Sequence, residues 1–115
     1  MYLPNAQNAI IEASKVEGYL LSRTHARGAA KARFFYSFGF LAEDAELFRR
    51  AILGHAGSHQ ASATHRTLYG QIFEVNGRLS SPDGRNPWIR VVWFIATGEK
   101  IPRLVTALPS REETS

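Results

Sequence analysis

WIRVVWFIAT, residues 88–97, carries the clearest structural signal in the sequence. Its residues are β-branched or aromatic with almost no polar alternation, which predicts a central strand that is covered on both faces. Arg90 is the exception, because a charged side chain inside such a strand needs a partner or a ligand. We therefore place residues 88–97 in the middle of a sheet.

Turn and strand patterns flank this stretch on both sides. SPDG, residues 81–84, precedes it and predicts a tight turn, and Gly98 opens the turn that follows. In residues 69–79 apolar side chains, Tyr69 among them, alternate with polar ones, which predicts a strand with one buried face. Two further strands are expected, a weak one over residues 61–68 and a last one, begun by Pro102, over residues 103–108.

The first half of the chain has helical patterns instead. Leu3 is expected to anchor an ordered lead-in arm, and Ser14 is a candidate N-cap for the first helix. Gly54 and Gly57 argue against a helix that continues far past residue 55. The expected helices cover residues 14–21, 28–37 and 42–55.

This order of elements predicts an α+β fold, with three N-terminal helices packed on one face of an antiparallel sheet of about four strands. The chain of 115 residues fits a single domain, residues 1–115. Residues 1–57 are expected to be mainly helical, residues 61–108 to form the sheet, and residues 109–115 to be a frayed tail.

Composition narrows the classes of function. The formal net charge of +4 favours an anionic partner such as nucleic acid. The chain has no cysteine, which excludes disulfides, thiolate metal sites and a cysteine nucleophile. No apolar run approaches the roughly 18 residues that a membrane span needs, and the first residues lack the layout of a secretory signal. We therefore expect a cytoplasmic protein with no membrane partner.

The charge is densest in RTHARGAAKARFFYSFGF, residues 23–40. This stretch is interpreted as a loop that leads into a helix, where free N–H groups and a partial positive charge favour anions. His25, Arg27 and Lys31 beside this helix start would form a phosphate pocket. The alternative is that these cations are only the solvated face of an amphipathic helix.

His25 is the candidate for acid–base chemistry. The surrounding cations favour a neutral imidazole, which is able to take a proton at pH 7. A neutral histidine beside lysine and arginine suits phosphodiester transfer in RNA, in which a base deprotonates a 2′-hydroxyl. The alternative is that His25 only caps or orients the loop before the second helix.

Arg90, Arg103 and Thr106 are candidates on the strands. An arginine fork matches phosphate oxygens, although a salt bridge to Glu74 or Glu99 would explain either arginine equally well. Arg103 and Thr106 are an odd number of residues apart, so an ideal strand would point them to opposite faces. They share a site only if Pro102 twists the strand or a bulge intervenes.

Aromatic and histidine side chains add two weaker candidates. Tyr69, Trp88 and Trp93 are candidate platforms for stacking bases, with a core position as the alternative for Trp93. His55 and His59 have the spacing of metal ligands on a helix, but no third ligand is placed near them in the sequence. We therefore expect no metal site and no cofactor.

Four stretches together resemble an uncharacterised bacterial family, one of the domains of unknown function. The resemblance covers almost the whole chain. The stretches are LPNAQNAII (residues 3–11), HARGAAKARFFYSFGF (25–40), YGQIFEVNGRLSSPDGR (69–85) and WFIATGEKIPRLVTAL (93–108).

The layout of this family is similar to that of the barnase, EndoU, colicin and RelE-like superfamily of small ribonuclease toxins. The similarity implies metal-independent RNA cleavage and a cognate antitoxin or immunity protein that covers the site. The sequence departs from the pattern at two positions, with Ala26 where proline is more usual and Val91 where a hydroxyl residue is usual. The residues that match by motif are His25, Lys31, Arg103 and Thr106.

The resulting hypothesis is a small endoribonuclease, a toxin of a toxin–antitoxin or contact-dependent system, with RNA as its substrate. His25 would act as general base or acid, Lys31 and Arg103 would stabilise charge on the phosphorus oxygens, and Thr106 would position the phosphate. Arg27, Arg90, Tyr69 and Trp93 are the candidate substrate-binding residues. One alternative is a non-catalytic basic module that binds nucleic acid or an acidic protein; another is a structural domain with no role in nucleic acid.

Overall fold

The computed structural model describes residues 1–111. In this part of the chain, three α-helices precede four β-strands, and a π-helical turn, Val16–Leu20, follows directly on the first helix. The helices are α1 (Ala13–Lys15), α2 (Ala29–Ser37) and α3 (Ala45–Ser58). The strands are β1 (Ala61–Arg66), β2 (Gly70–Arg78), β3 (Trp88–Ala96) and β4 (Arg103–Pro109).

The four strands form one antiparallel sheet in the order β1-β2-β3-β4. Each strand pairs with its neighbour in the chain, so short hairpin connections suffice. The turn at residues 81–84 closes with a hydrogen bond from the Gly84 N–H to the Ser81 carbonyl, at 3.1 Å. The predicted α+β architecture, with helices before an antiparallel sheet of four strands, is confirmed.

Strand β3 is central, but the prediction that both of its faces are covered is wrong. Ile89, Val91 and Trp93 are fully buried, whereas the residues between them are only half-buried. This alternation arises because one face of the antiparallel sheet is packed on the core and the other face is open. The apolar residues Val92 and Phe94 made the strand resemble a doubly covered one in sequence.

The core beneath the sheet is built on aromatic rings from α2, α3 and the segment between them. The Phe35 and Phe48 rings lie 4.9 Å apart, and those of Phe40 and Phe48 lie 5.1 Å apart, both edge to face. All three side chains are at most 1% exposed. Burying a side chain of this kind stabilises a fold by about 1.5–3 kcal/mol, so these rings fix α2 and α3 relative to each other.

Two predicted helix details are corrected. Ser14 lies inside α1, whose N-cap is Glu12, so Ser14 does not cap this helix. Helix α3 runs on through both glycines to Ser58. The cost of a glycine in a helix, about 1 kcal/mol, is offset there because Ile52 and Ala56 of the same helix are completely buried.

The lead-in arm is fastened to the last strand. Leu3 is 3% exposed, as expected for an anchor. Ile10 forms a parallel bridge with Arg103: its N–H donates to the Pro102 carbonyl at 2.8 Å, and its carbonyl accepts from the Leu104 N–H at 3.0 Å. The outer edge of β4 is therefore covered at its start.

Two predictions concern chain segments at the rim of the sheet. Tyr69 lies in the β1–β2 turn and is 81% exposed, so it does not belong to the buried face of β2. The expected frayed tail begins too early, since Pro109 is part of β4 and the Ser110 N–H donates to the Trp88 carbonyl at 3.0 Å. Residues 112–115 of that tail lie outside the described residues.

Among residues 1–111, no helix is both long and apolar enough to cross a membrane.

Candidate functional site

An open pocket of about 460 Å³ lies between the π-helical turn, the loop before α2, and β4. Its chemistry comes from a small group of polar side chains on three separate segments. We call this site the Tyr19 pocket. Its polar side chains are Ser14, Lys15, Tyr19, His25, Arg27 and Thr106.

The π-helical turn sets the position of Tyr19. The Leu21 N–H donates to the Val16 carbonyl, five residues back, at 2.7 Å. Val16 and Leu20 are buried on one side of this turn, which leaves the half-buried Tyr19 at the pocket. Single π turns occur frequently at functional sites, because the wider turn re-aims a side chain.

Gly28, at the start of α2, lets Tyr19 come close. A Cβ atom on Gly28 would lie 2.2 Å from the Tyr19 carbonyl oxygen and 2.9 Å from the Tyr19 ring. Its φ of −84° is ordinary, so its need for glycine is one of space rather than of backbone freedom. The start of α2 and the π-helical turn are thereby held in contact.

The Tyr19 hydroxyl joins α2 to β4. Lys31 Nζ donates to Tyr19 Oη at 2.6 Å, and Thr106 Oγ1 lies 3.2 Å from the same oxygen. The ammonium groups of Lys31 and Lys15 also lie 5.0 Å and 5.9 Å from the centre of the Tyr19 ring. Lys31 and Thr106, which the sequence analysis named as candidates, are thus connected through Tyr19, which it did not name.

These neighbours lower the pKa of Tyr19. Burial acts in the opposite direction and raises the pKa, because it penalises the charged phenolate. The hydrogen bonds of Lys31 and Thr106, together with the positive charges of Lys31 and Lys15, outweigh burial, so the pKa lies below its usual value. The phenol is therefore easier to ionise than a free tyrosine.

His25 is exposed at the mouth of the pocket, with its ring held in place. Its Nδ1 accepts hydrogen bonds from the Arg27 and Gly28 N–H groups, each at 3.0 Å. Its ring also packs edge-on against Tyr19, with ring centres 4.9 Å apart. The neutral ring consequently carries its hydrogen on Nε2, where it is able to donate to an anion. The capping role left open by the sequence is what Nδ1 performs.

Thr106 and Arg103 differ in their relation to the pocket. The β3–β4 register shifts by one residue, with Trp93 opposite Leu104 and Val92 opposite Thr106. This is the bulge that was needed to bring Arg103 and Thr106 into the same alternating set. Thr106 lines the pocket, whereas Arg103 lies outside its lining and pairs with Glu12 at 3.2 Å.

The predicted substrate-binding residues are scattered. Arg27 lines the Tyr19 pocket. Arg90 forms an ion pair with Glu74 at 3.3 Å, which is the salt-bridge alternative for this residue. Tyr69 is at the β1–β2 turn, with its ring exposed.

Trp93 is a correction. Its side chain is 0% exposed and belongs to the core between the sheet and the helices, so neither face of its ring is open to a base. The core position was the other reading of this residue. Trp88, the first residue of β3, is half-buried.

Sequence reasoning missed Tyr19 and Lys15. One signal was present, since the two residues are four apart and would share a face of any helix over residues 14–21. The contact with Thr106 had no local signal, because the two residues are 87 positions apart in the chain.

Two further histidines, His55 and His59, lie in a different environment. Nε2 of His55 lies 3.1 Å from the Gly77 carbonyl, and Nε2 of His59 lies 2.9 Å from the Arg78 carbonyl. Burial, reinforced by the neighbouring His59, lowers the pKa of His55 to about 4. We call this contact between α3 and β2 the histidine clasp. Over residues 1–111, no group of three or more His, Cys, Asp or Glu side chains is arranged to hold a metal ion.

Residues 2–111 match a protein family described as "Domain of unknown function (DUF6883)". The chain belongs to this family. The expected resemblance to a domain of unknown function is thereby confirmed, while the DUF6883 description itself names no activity. Searches of curated proteins and of solved structures find no significant match to this DUF6883 domain.

Proposed function

We propose that this domain is a small endoribonuclease that cleaves RNA without a metal ion, and that it acts as a toxin in the cytoplasm. The observation that carries the proposal is that Lys31 and Thr106 both lie within hydrogen-bonding distance of the Tyr19 hydroxyl, beside a pocket that Tyr19 and Thr106 line together with His25 and Arg27. Side chains of this kind bind a phosphate and stabilise the charge that develops on it during transfer.

Four polar groups have a direct role in this reaction. Arg27 and Lys15 would attract the RNA phosphate, and the Nε2–H of His25 would donate to one of its oxygens. Lys31 would stabilise the negative charge that builds up on the oxygens at phosphorus. Arg103 has no part in this scheme, because Glu12 already holds its guanidinium outside the pocket.

A toxin needs a partner that neutralises it. We infer an antitoxin or immunity protein with an acidic surface, because the chain has a net charge of +4 and the pocket concentrates positive charge. Such a partner would cover the Tyr19 pocket and exclude RNA from it. The layout that the sequence shares with the barnase, EndoU, colicin and RelE-like toxins suggested such a partner as an analogy, and the comparisons do not link the chain to that superfamily.

One observation favours a second candidate function, a non-catalytic module that binds nucleic acid. Nδ1 of His25 is occupied by two backbone N–H groups, so this nitrogen is not free to take a proton from a substrate. A binding module would use the same cations for phosphate contacts and would need no base. Its affinity for RNA would fall steeply with salt and depend on many cations at once.

The first experiment is induced expression in a bacterial host, with growth followed and total RNA separated on a gel. Wild type and Lys31→Ala are compared with Arg50→Ala, which removes an exposed cation on α3 outside the pocket. We expect growth arrest and discrete RNA fragments with wild type and Arg50→Ala. Loss of the Lys31 ammonium should slow cleavage by purified protein about 100-fold or more.

The two candidate functions give different results in this experiment. Intact RNA and normal growth with all three proteins at matched expression, together with salt-sensitive RNA binding in vitro, would support the binding module. Equal cleavage by wild type and Lys31→Ala would show that the nuclease site lies elsewhere.

A further inference from the structure

RNA cleavage through a 2′-hydroxyl requires a group that takes the proton from that hydroxyl. In the Tyr19 pocket, Arg27 and Lys15 are donors when charged, as is the neighbouring Lys31. The hydroxyls of Ser14 and Thr106 are very weak bases. His25 turns Nδ1 to the backbone and has its hydrogen on Nε2. Tyr19 is the remaining polar side chain that is able to become a base.

Resting on the proposed RNA cleavage, we propose that Tyr19 is the catalytic base: its ionised hydroxyl accepts the proton of the attacking ribose 2′-hydroxyl. The geometry supports this assignment at Oη. Lys31 Nζ at 2.6 Å and Thr106 Oγ1 at 3.2 Å both have hydrogens to donate, which stabilises a negative oxygen at this point.

The electrostatic setting of Tyr19 agrees with the geometry. Burial raises the pKa of the phenol, but the hydrogen bonds and positive charges of its neighbours lower it further than burial raises it. A base is most effective when its pKa approaches the working pH, so this shift moves the phenol in the useful direction. The Lys31 ammonium provides a countercharge beside the phenolate until the phenolate takes up the proton.

The ring of Tyr19 is fixed before substrate arrives. The π-helical turn sets its backbone, and Gly28 packs against its carbonyl and ring. The His25 ring packs edge-on against the Tyr19 ring, with ring centres 4.9 Å apart. A base that is held in one position needs little reorganisation when the substrate binds. This arrangement distinguishes Tyr19 from Tyr69, whose ring lies exposed in a turn.

The proposed step balances in atoms and electrons. The proton of the 2′-hydroxyl moves to Tyr19 Oη, and the 2′-oxygen uses its freed electron pair to form a bond to phosphorus. The bond from phosphorus to the 5′-oxygen breaks, and that oxygen leaves with the electron pair and takes a proton from water. The hydroxide that remains removes the proton from Tyr19, and the products are a 2′,3′-cyclic phosphate and a 5′-hydroxyl end.

The test compares wild type, Tyr19→Phe and Tyr2→Phe with a short RNA of defined sequence. Tyr2 is an exposed tyrosine outside the pocket and serves as the matched control. We expect the cleavage rate of Tyr19→Phe to fall by about 100-fold or more. Tyr2→Phe should cleave at the wild-type rate. All three should bind equally well to the same RNA carrying a 2′-deoxy sugar at the cut site.

A change of phenol acidity separates a base from a positioning residue. Replacing Tyr19 with a fluorinated tyrosine should move the acidic limb of the pH–rate profile to lower pH. The ultraviolet absorbance of the phenolate should also show one wild-type tyrosine that ionises early and is missing in Tyr19→Phe.

The outcomes distinguish the base from the function. Wild-type cleavage with equal cleavage by Tyr19→Phe, or a limb that does not move with fluorination, would overturn the role of Tyr19 and leave the nuclease proposal standing. A wild type that binds the 2′-deoxy analogue but never cleaves RNA would overturn the nuclease proposal itself, and the base assignment with it.

Discussion

The Tyr19 pocket and the histidine clasp both contain a histidine with a fixed ring, yet the two rings are used in opposite ways. In the pocket, His25 accepts hydrogen bonds from two backbone N–H groups at Nδ1 and is exposed to solvent at the pocket mouth. In the clasp, the buried His55 directs Nε2 to the Gly77 carbonyl. Backbone donors leave a histidine with a free N–H for a ligand, whereas a backbone carbonyl uses that N–H for the fold. The direction of the ring decides which role is possible.

Acid should weaken the clasp, and this is the largest effect we expect. His55 has a folded-state pKa of about 4, below the 6.5 of an unfolded histidine, so the unfolded chain binds more protons between these values. The free energy of unfolding should therefore be highest above pH 6.5 and fall by about 3 kcal/mol as the pH drops to 4. Urea denaturation at a series of pH values measures it.

The carboxylates of the chain also titrate in this range, so a difference between variants is needed. His55→Gln keeps a polar group in the clasp and should lose most of the pH dependence above pH 4, while His59→Gln should retain it. If His55→Gln and wild type lose stability in parallel as the pH falls, His55 is not the buried neutral group that we describe.

A methyl group at Gly28 should damage the pocket but leave the clasp intact. Gly28→Ala places a Cβ 2.2 Å from the Tyr19 carbonyl oxygen, and relief of this overlap should lower the free energy of unfolding by about 2 kcal/mol. Tyr19 should move, and RNA cleavage should fall with it. Denaturation in urea and a cleavage assay at a temperature where the variant is folded measure both effects.

Gly18→Ala is the matched control for this change. A Cβ there would meet no heavy atom within 4 Å, and alanine is favoured over glycine in a helical turn. We expect a gain in stability of about 0.5 kcal/mol. A similar loss of stability in both variants would contradict the close approach of Gly28 to Tyr19.

Thr106→Val should have a smaller effect on stability and a visible one on Tyr19. It removes the hydroxyl that lies 3.2 Å from Tyr19 Oη at almost constant volume, so about 1 kcal/mol of stability should be lost. The pKa of Tyr19 should rise, because a hydrogen bond that lowers it is gone. Absorbance titration of the phenolate reads this shift. The exposed Thr64→Val in β1 should leave the titration unchanged, and an identical curve for Thr106→Val would refute the contact.

Glu12→Gln should produce the smallest change. The ion pair of Glu12 with Arg103 is half-exposed at the edge of the sheet, where such pairs contribute about 0.5 kcal/mol. Removing the carboxylate frees the Arg103 guanidinium, so binding of the 2′-deoxy RNA analogue should improve about twofold at low salt. Glu43→Gln, an exposed carboxylate before α3, is the comparison. Weaker RNA binding by Glu12→Gln would contradict our expectation that Glu12 keeps the Arg103 guanidinium from RNA.

The sequence contained most of the fold because the fold rests on local signals. Turn residues at 81–84 and Gly98, and the apolar run of residues 88–97, predict the hairpins directly. The error about β3 has a physical cause: Val92 and Phe94 are apolar on the open face of the sheet, and apolar residues are common on protein surfaces.

The site was less predictable because its contacts are not local. His25 and Lys31 lie near each other in the chain and share a charged stretch, so charge density identified them. Tyr19 depends on a π-helical turn and on a strand that comes 87 residues later, and no pattern within a short window encodes either. The bulge opposite Trp93 is equally invisible, since it is a property of the pairing of two strands.

The hydrogen bond between Tyr19 and Thr106 has a consequence during synthesis of the chain. Thr106 lies in β4, and the bridge between Ile10 and Arg103 also waits for this strand. A nascent chain on the ribosome therefore already contains the cationic residues of the site but lacks β4, which completes the Tyr19 pocket. The pocket is completed only when β4 has left the exit tunnel and paired, so a truncated chain that stops before residue 103 should carry the charge of the site without its chemistry.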